Sequence, residues 1–61
     1  MVYDKVKALA DKQGLSISAL EKKAGLKNGT IGKWREVSPI LRNLQAVADA
    51  LGVPLKVLLE D

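Results

Sequence analysis

Six basic side chains, Lys22, Lys23, Lys27, Lys33, Arg35 and Arg42, stand between Ser16 and Asn43 against only two acids, Glu21 and Glu36. That stretch carries +4 in a chain whose total is +3, so the rest of the chain is slightly acidic. Positive charge gathered in one part of a small protein favours a polyanionic partner. Charge alone fits a plain coat of lysines on a soluble domain equally well. The order of residues favours the first reading. From Ser16 to Glu36 the chain runs SISALEKKAGLKNGTIGKWRE, which reads as a helix, a tight turn at Gly25 and a second helix. This spacing turns Leu20, Ala24, Leu26, Ile31 and Trp34 inward and leaves Lys27, Asn28, Thr30 and Lys33 outside. Two helices joined by a short turn are the arrangement that lays a second helix in the major groove of DNA.

Other chemistries have little to build on. The chain has no cysteine and no histidine, which removes disulfide frameworks, thiolate metal sites and most zinc, haem and nucleophile–base chemistry. Ser16, Ser18 and Ser38 therefore have no histidine base, and no glycine-rich phosphate cradle accompanies Glu21 and Glu36. No catalytic residue, metal site, cofactor or small-molecule substrate is expected. Tyr3 and Trp34 are the only aromatics, too few to form a stacking platform for single strands. The longest uncharged apolar run falls far short of the ~20 residues of a membrane span. Asp4, Lys5 and Lys7 interrupt any signal-peptide core behind Met1, so a cytoplasmic protein without membrane contact is the default.

The elements that must position the basic stretch follow from periodicity. At 61 residues, one domain spanning 1–61 is expected, burying only about 60% of its unfolded surface. Val2, Val6 and Leu9, with Tyr3 and Ala10 beside them, form one stripe of a helix from Val2 to Gln13. Asp4 and Lys12 suit its dipole. Ser16 is the expected N-cap of the second helix, preferred over Ser18 because a start there leaves too little helix before Gly25. The third helix is predicted from Asn28 to Arg35. Gly29 and Gly32 are odd inside it, each costing up to about 1 kcal/mol relative to alanine. Either a short helix held by its neighbours tolerates them, or the missing side chains let it lie against a sugar-phosphate backbone. Ser38 and Pro39 form a good helix start, as N-cap and first residue. Beyond them Leu41, Leu44, Val47, Ala48 and Leu51 trace a fourth stripe. Pro54 opens a fifth helix bearing Leu55, Leu58 and Leu59. Five short helices with brief connections predict a compact all-α fold.

Taken together, these residues resemble the phage-repressor/Cro-type helix-turn-helix domains, the XRE-like group with the lambda-repressor-like fold. The resemblance covers essentially the whole chain. It rests on Gly14-Leu15-Ser16, Leu20, Gly25-Leu26, Thr30-Ile31, Lys33-Trp34, Pro39, Leu44, the run Ala48 to Val53, and Leu58-Leu59. It implies a third helix in the major groove, with Lys27, Asn28, Gly29, Thr30 and Lys33 at the base-reading positions. The chemistry suits several of them. Asn28 can bond adenine in bidentate fashion, and Lys33 can donate to guanine or to a phosphate. Thr30 can offer its methyl to thymine or its hydroxyl to a phosphate, whereas Gly29 offers only backbone. Two plainer readings compete: Asn28 as a cap of its own helix, and Lys33 as an ordinary solvated lysine.

The resemblance also implies phosphate contacts at the start of the second helix, Ser16, Ile17 and Ser18, and around the entry to the fourth, Arg35, Ser38, Arg42 and Asn43. Here the chain departs from the family pattern. Ile17 stands where a phosphate-gripping glutamine is common and keeps only its backbone N–H. Glu21 replaces a small residue facing the recognition helix. A lone buried carboxylate is costly, so Glu21 is expected to reach a partner, most simply Arg35. The family binds palindromic sites as homodimers, often through the last helix and its approach. Val57 and Ile40 are apolar where polar side chains are expected, and with Leu55 they form a candidate self-association patch. Paired recognition helices about 34 Å apart would meet successive major-groove faces. The leading expectation is sequence-specific binding of double-stranded DNA at a palindromic operator, by a transcriptional repressor or its N-terminal domain. The alternative is a protein-interaction module of the same fold, antitoxin-like or a regulatory subunit.

Overall fold

The computed structural model describes residues 1–60; Asp61, one of the acids in the charge balance, lies outside them. The described residues form four α-helices and no strand: α1 (Val2–Lys12), α2 (Ile17–Ala24), α3 (Leu41–Leu51) and α4 (Leu55–Leu59). A 3₁₀ helix, Gly32–Arg35, lies between α2 and α3.

Each element forms where its apolar stripe finds cover. Val6 and Ala10 are the buried residues of α1, with Val2, Tyr3 and Leu9 partly buried beside them. Leu20 is the apolar anchor of α2, which packs chiefly on α3. From α3 come Leu44, Val47, Ala48 and Leu51, and Leu58 of α4 closes the same core. Ile31 and Trp34, the two inward residues of the basic stretch, are both buried in it. The Gln13 amide donates to the Leu51 carbonyl at 2.7 Å, tying the end of α1 to the end of α3.

The cap of α2 is the expected one. The Ser16 hydroxyl accepts from the Ala19 N–H at 3.0 Å, filling one of the orphan donors of a helix start. The helix ends in a left-handed Gly25 (φ +76°). The Leu26 N–H reaches the Glu21 carbonyl at 2.8 Å and the Gly25 N–H reaches that of Lys22 at 3.2 Å, the paired bonds of a Schellman end.

Three expectations are corrected. Residues Asn28 to Arg35 are not an α-helix: a run of turns through Ile31 leads into the 3₁₀ helix. Lys27 gives its carbonyl to the Thr30 N–H at 3.1 Å, a bond three residues long, and Gly29 takes φ +93°, outside any right-handed helix. Two glycines within four residues withdraw up to about 2 kcal/mol of helix preference relative to alanine, and packing of Ile31 and Trp34 is met without a helix. Likewise, α3 does not begin at Ser38-Pro39. Its N-cap is Ile40, in extended conformation, and no side chain caps it. Leu41, expected in the buried stripe, is 64% exposed, because it sits in the first turn of α3 at the edge of the stripe defined by Leu44, Val47, Ala48 and Leu51.

Candidate nucleic-acid interface

The segment between α2 and the 3₁₀ helix is built around one buried carboxylate. Glu21 is 2% exposed, and both oxygens are used. Its Oε1 accepts from the Gly29 N–H at 3.0 Å and its Oε2 from the Ile31 N–H at 2.8 Å. The expected Glu21–Arg35 ion pair is therefore replaced by two backbone bonds. Hydrogen bonds to a charged group contribute about 1.5–3 kcal/mol each, which offsets the desolvation that burial imposes on a carboxylate. The Gly29 and Ile31 N–H groups thus find their acceptor in a side chain of the neighbouring α2.

Arg35 turns elsewhere. Its guanidinium lies 5.2 Å from the centroid of the Tyr3 ring, and its Nε donates to the Gly32 carbonyl at 3.3 Å. A cation over a ring at this distance is a cation–π contact, here joining the 3₁₀ helix to α1.

Above the pinned backbone, Lys27, Asn28, Gly29 and Lys33 are exposed and Thr30 is half-buried. Asn28 does not act as a cap, since no side-chain hydrogen bond involves it among the described residues. No basic residue from Lys22 to Arg42 forms an ion pair among the described residues; the two pairs there lie at the start of α1, where the Met1 amine meets Asp4, and on it, between Lys7 and Asp11. The strong Lys7–Asp11 bond at 2.6 Å raises the Lys7 pKa, chiefly through that hydrogen bond, and has no part in this face.

The candidate phosphate contacts fall into two groups. Ser18 and Asn28 share a shallow cleft of about 230 Å³ with Lys22, above Glu21 and Leu26. Ser16 is exposed and Ile17 half-buried at the same end of α2. Arg35 and Ser38 line a separate groove against Met1, Val2 and Val37. Arg42 (exposed) and Asn43 (half-buried) belong to the first turn of α3. Lys22 was not among the site residues expected from sequence. Its position four residues after Ser18 on one helix face was the available signal.

Of the candidate self-association residues, Ile40 is 56% exposed, while Leu55 and Val57 are half-buried and Leu55 packs on the core. Met1, Val37, Leu41 and Leu59 are the other exposed large apolar residues among the described ones. Among the described residues no helix is long and apolar enough to cross a membrane.

A family model for helix-turn-helix domains matches residues 6–58. The stretch runs from the middle of α1 to the buried Leu58 of α4 and includes every candidate base-reading residue. The chain belongs to this family, and its domain is of the XRE/Cro-like kind, the fold of DNA-binding transcription regulators. No curated protein matches alongside it.

Proposed function

We propose that the chain binds double-stranded DNA sequence-specifically and represses transcription in the cytoplasm as a homodimer on a palindromic operator. The observation that carries this reading is the exposed face that Lys27, Asn28, Gly29 and Lys33 form over the buried Ile31. Asn28 and Lys33 stand outward on it, and no carboxylate neutralises the surrounding lysines. Asn28, Thr30 and Lys33 read bases, with Lys27 beside them and Gly29 admitting close approach of the DNA. Ser16, Ile17, Ser18 and Lys22 hold phosphates on one side; Arg35, Ser38, Arg42 and Asn43 hold them on the other.

Size fits one copy to one half-site. The described residues measure 23 × 21 × 18 Å, less than the roughly 34 Å between successive major-groove faces of a duplex. One copy covers one half-site, and Ile40, Leu55 and Val57 supply the contact between copies.

Selection of bound sequences from a random duplex pool tests the proposal and reports half-site and spacing together. Affinity for the selected duplex falls steeply with salt, as counterion release requires. A second reading, a protein-interaction module of the same fold, is favoured by the replacement of the third helix with turns, which shortens the element available to a groove. Failure to bind any duplex at ~50 mM salt would decide for that module.

A further inference from the structure

We infer that Glu21, which touches no DNA, is the positioning residue that sets base specificity, an inference that rests on the DNA-binding reading above. Its two bonds pin two peptide planes: the one between Asn28 and Gly29, and the one between Thr30 and Ile31. Each pinned plane immediately follows a candidate base-reading residue, so the carboxylate fixes the backbone on which Asn28 and Thr30 stand. The Thr30 N–H is held as well, by the Lys27 carbonyl at 3.1 Å. Between the two readers lies Gly29 at φ +93°, a residue with wide conformational freedom when unrestrained. Even a helix beginning at Asn28 would leave its first four N–H groups, those of Gly29 and Ile31 among them, without an acceptor in its own ladder. Here a side chain from α2 supplies that acceptor to both.

The arrangement couples the two halves of the motif through one residue. The Glu21 carbonyl closes α2 by accepting the Leu26 N–H, while its carboxylate accepts from Gly29 and Ile31. Asn28 and Thr30 are therefore referred to α2, and through it to Ser18 and Lys22 on the shared cleft. Pre-set backbone spares the ordering that a loose loop would undergo on binding. That saving is realised only at a sequence where Asn28 and Thr30 both find partners, so it adds to specific binding and leaves the lysine–phosphate attraction unchanged.

Glu21→Gln isolates the effect, because it keeps the side chain's volume while placing an NH₂ group against one of the two N–H donors. It also removes a negative charge beneath a DNA-facing surface, which by electrostatics alone would tighten binding to every duplex. The measurement compares wild type and Glu21→Gln on the duplex selected by the wild type and on a scrambled duplex of equal composition. It is made where the buried Trp34 fluorescence shows both proteins folded. The expected result is at least a tenfold loss of affinity for the selected duplex, with affinity for the scrambled duplex equal or higher and the salt slope retained. Amide exchange at Gly29 and Ile31 should accelerate while α1 and α3 keep their protection. In the wild type the Gly29 amide must itself be protected although the residue is exposed; rapid exchange there overturns the inference even if Glu21→Gln does not fold. Equal discrimination by the two proteins overturns the role given to Glu21 alone. A wild type that selects no duplex overturns the DNA reading beneath it.

Discussion

Alanine substituted at Gly29 and at Gly32, three residues apart, should change stability in opposite directions. An α-helix from Asn28 to Arg35 would make the two positions equivalent, and either substitution would stabilise by up to about 1 kcal/mol. The observed backbone separates them. Gly29 has φ +93°, and a Cβ built there meets nothing within 4 Å, so the effect of alanine is purely conformational. Forcing an L-residue into that region costs about 1–2 kcal/mol, partly offset by the roughly 0.4–1 kcal/mol gained when glycine's unfolded-state freedom is removed. The net is a loss of about 1 kcal/mol, or about 4–8 °C in Tm for a domain of this size. Gly32 is not in the positive-φ region, and its Cβ would approach only the Arg35 Nη2 at 4.0 Å, the mobile end of an exposed side chain. Gly32→Ala should therefore stabilise by about 0.4–1 kcal/mol. Urea or thermal unfolding followed by Trp34 fluorescence gives both values. Trp34 is the only tryptophan in the chain and only 5% exposed. Stabilisation by both substitutions would refute the turn conformation and restore the third helix.

Three more outcomes follow from the same geometry. Lys33→Glu should abolish binding to the selected duplex while shifting stability by no more than about 0.5 kcal/mol, because Lys33 is an exposed side chain without an ion pair; unchanged binding by gel shift would remove the base-reading assignment. Arg35→Met should lose the contact over Tyr3 and the exposed bond to the Gly32 carbonyl, about 1 kcal/mol in all; a loss of several kcal/mol in the melt would mean that Arg35 compensates a buried charge after all. Ser16→Ala deletes the one side-chain cap of α2 and should lower stability by about 1 kcal/mol, with circular dichroism reporting the early fraying of that helix.

Much of the architecture is legible in the chain because local rules and packing agree there. The stripe of α1, the Ser16 cap, the Gly25 turn, and the inward Leu20, Ile31 and Trp34 each answer to periodicity or to a single hydrogen bond. The last helix follows from Pro54 and Leu58. Where the reading diverged, two acceptable local signals competed. Ser38-Pro39 is a sound helix start in isolation, yet no helix forms before Leu41, Ile40 being extended, and Leu41 then falls outside the cover that Leu44 and Val47 receive. In the basic stretch, the inward spacing of Ile31 and Trp34 fits a helix and also a 3₁₀ turn, since both can bury side chains three residues apart. The spacing could not choose between them.

The sequence by itself determined the family, the basic middle of the chain and the outward residues Lys27, Asn28 and Lys33; Thr30, expected outside with them, is half-buried. It also required Glu21 to have a partner, because a carboxylate on the inner face of a helix cannot stay unpaired. Only the tertiary structure decided which partner. Arg35 is near enough in sequence to be plausible, but it is drawn to Tyr3 on α1, while two backbone N–H groups stand within 3.0 Å of the carboxylate. The physical reason is that backbone donors carry no sequence signature. Every non-proline residue has one, and which of them lack a helical acceptor is settled only when the chain has packed.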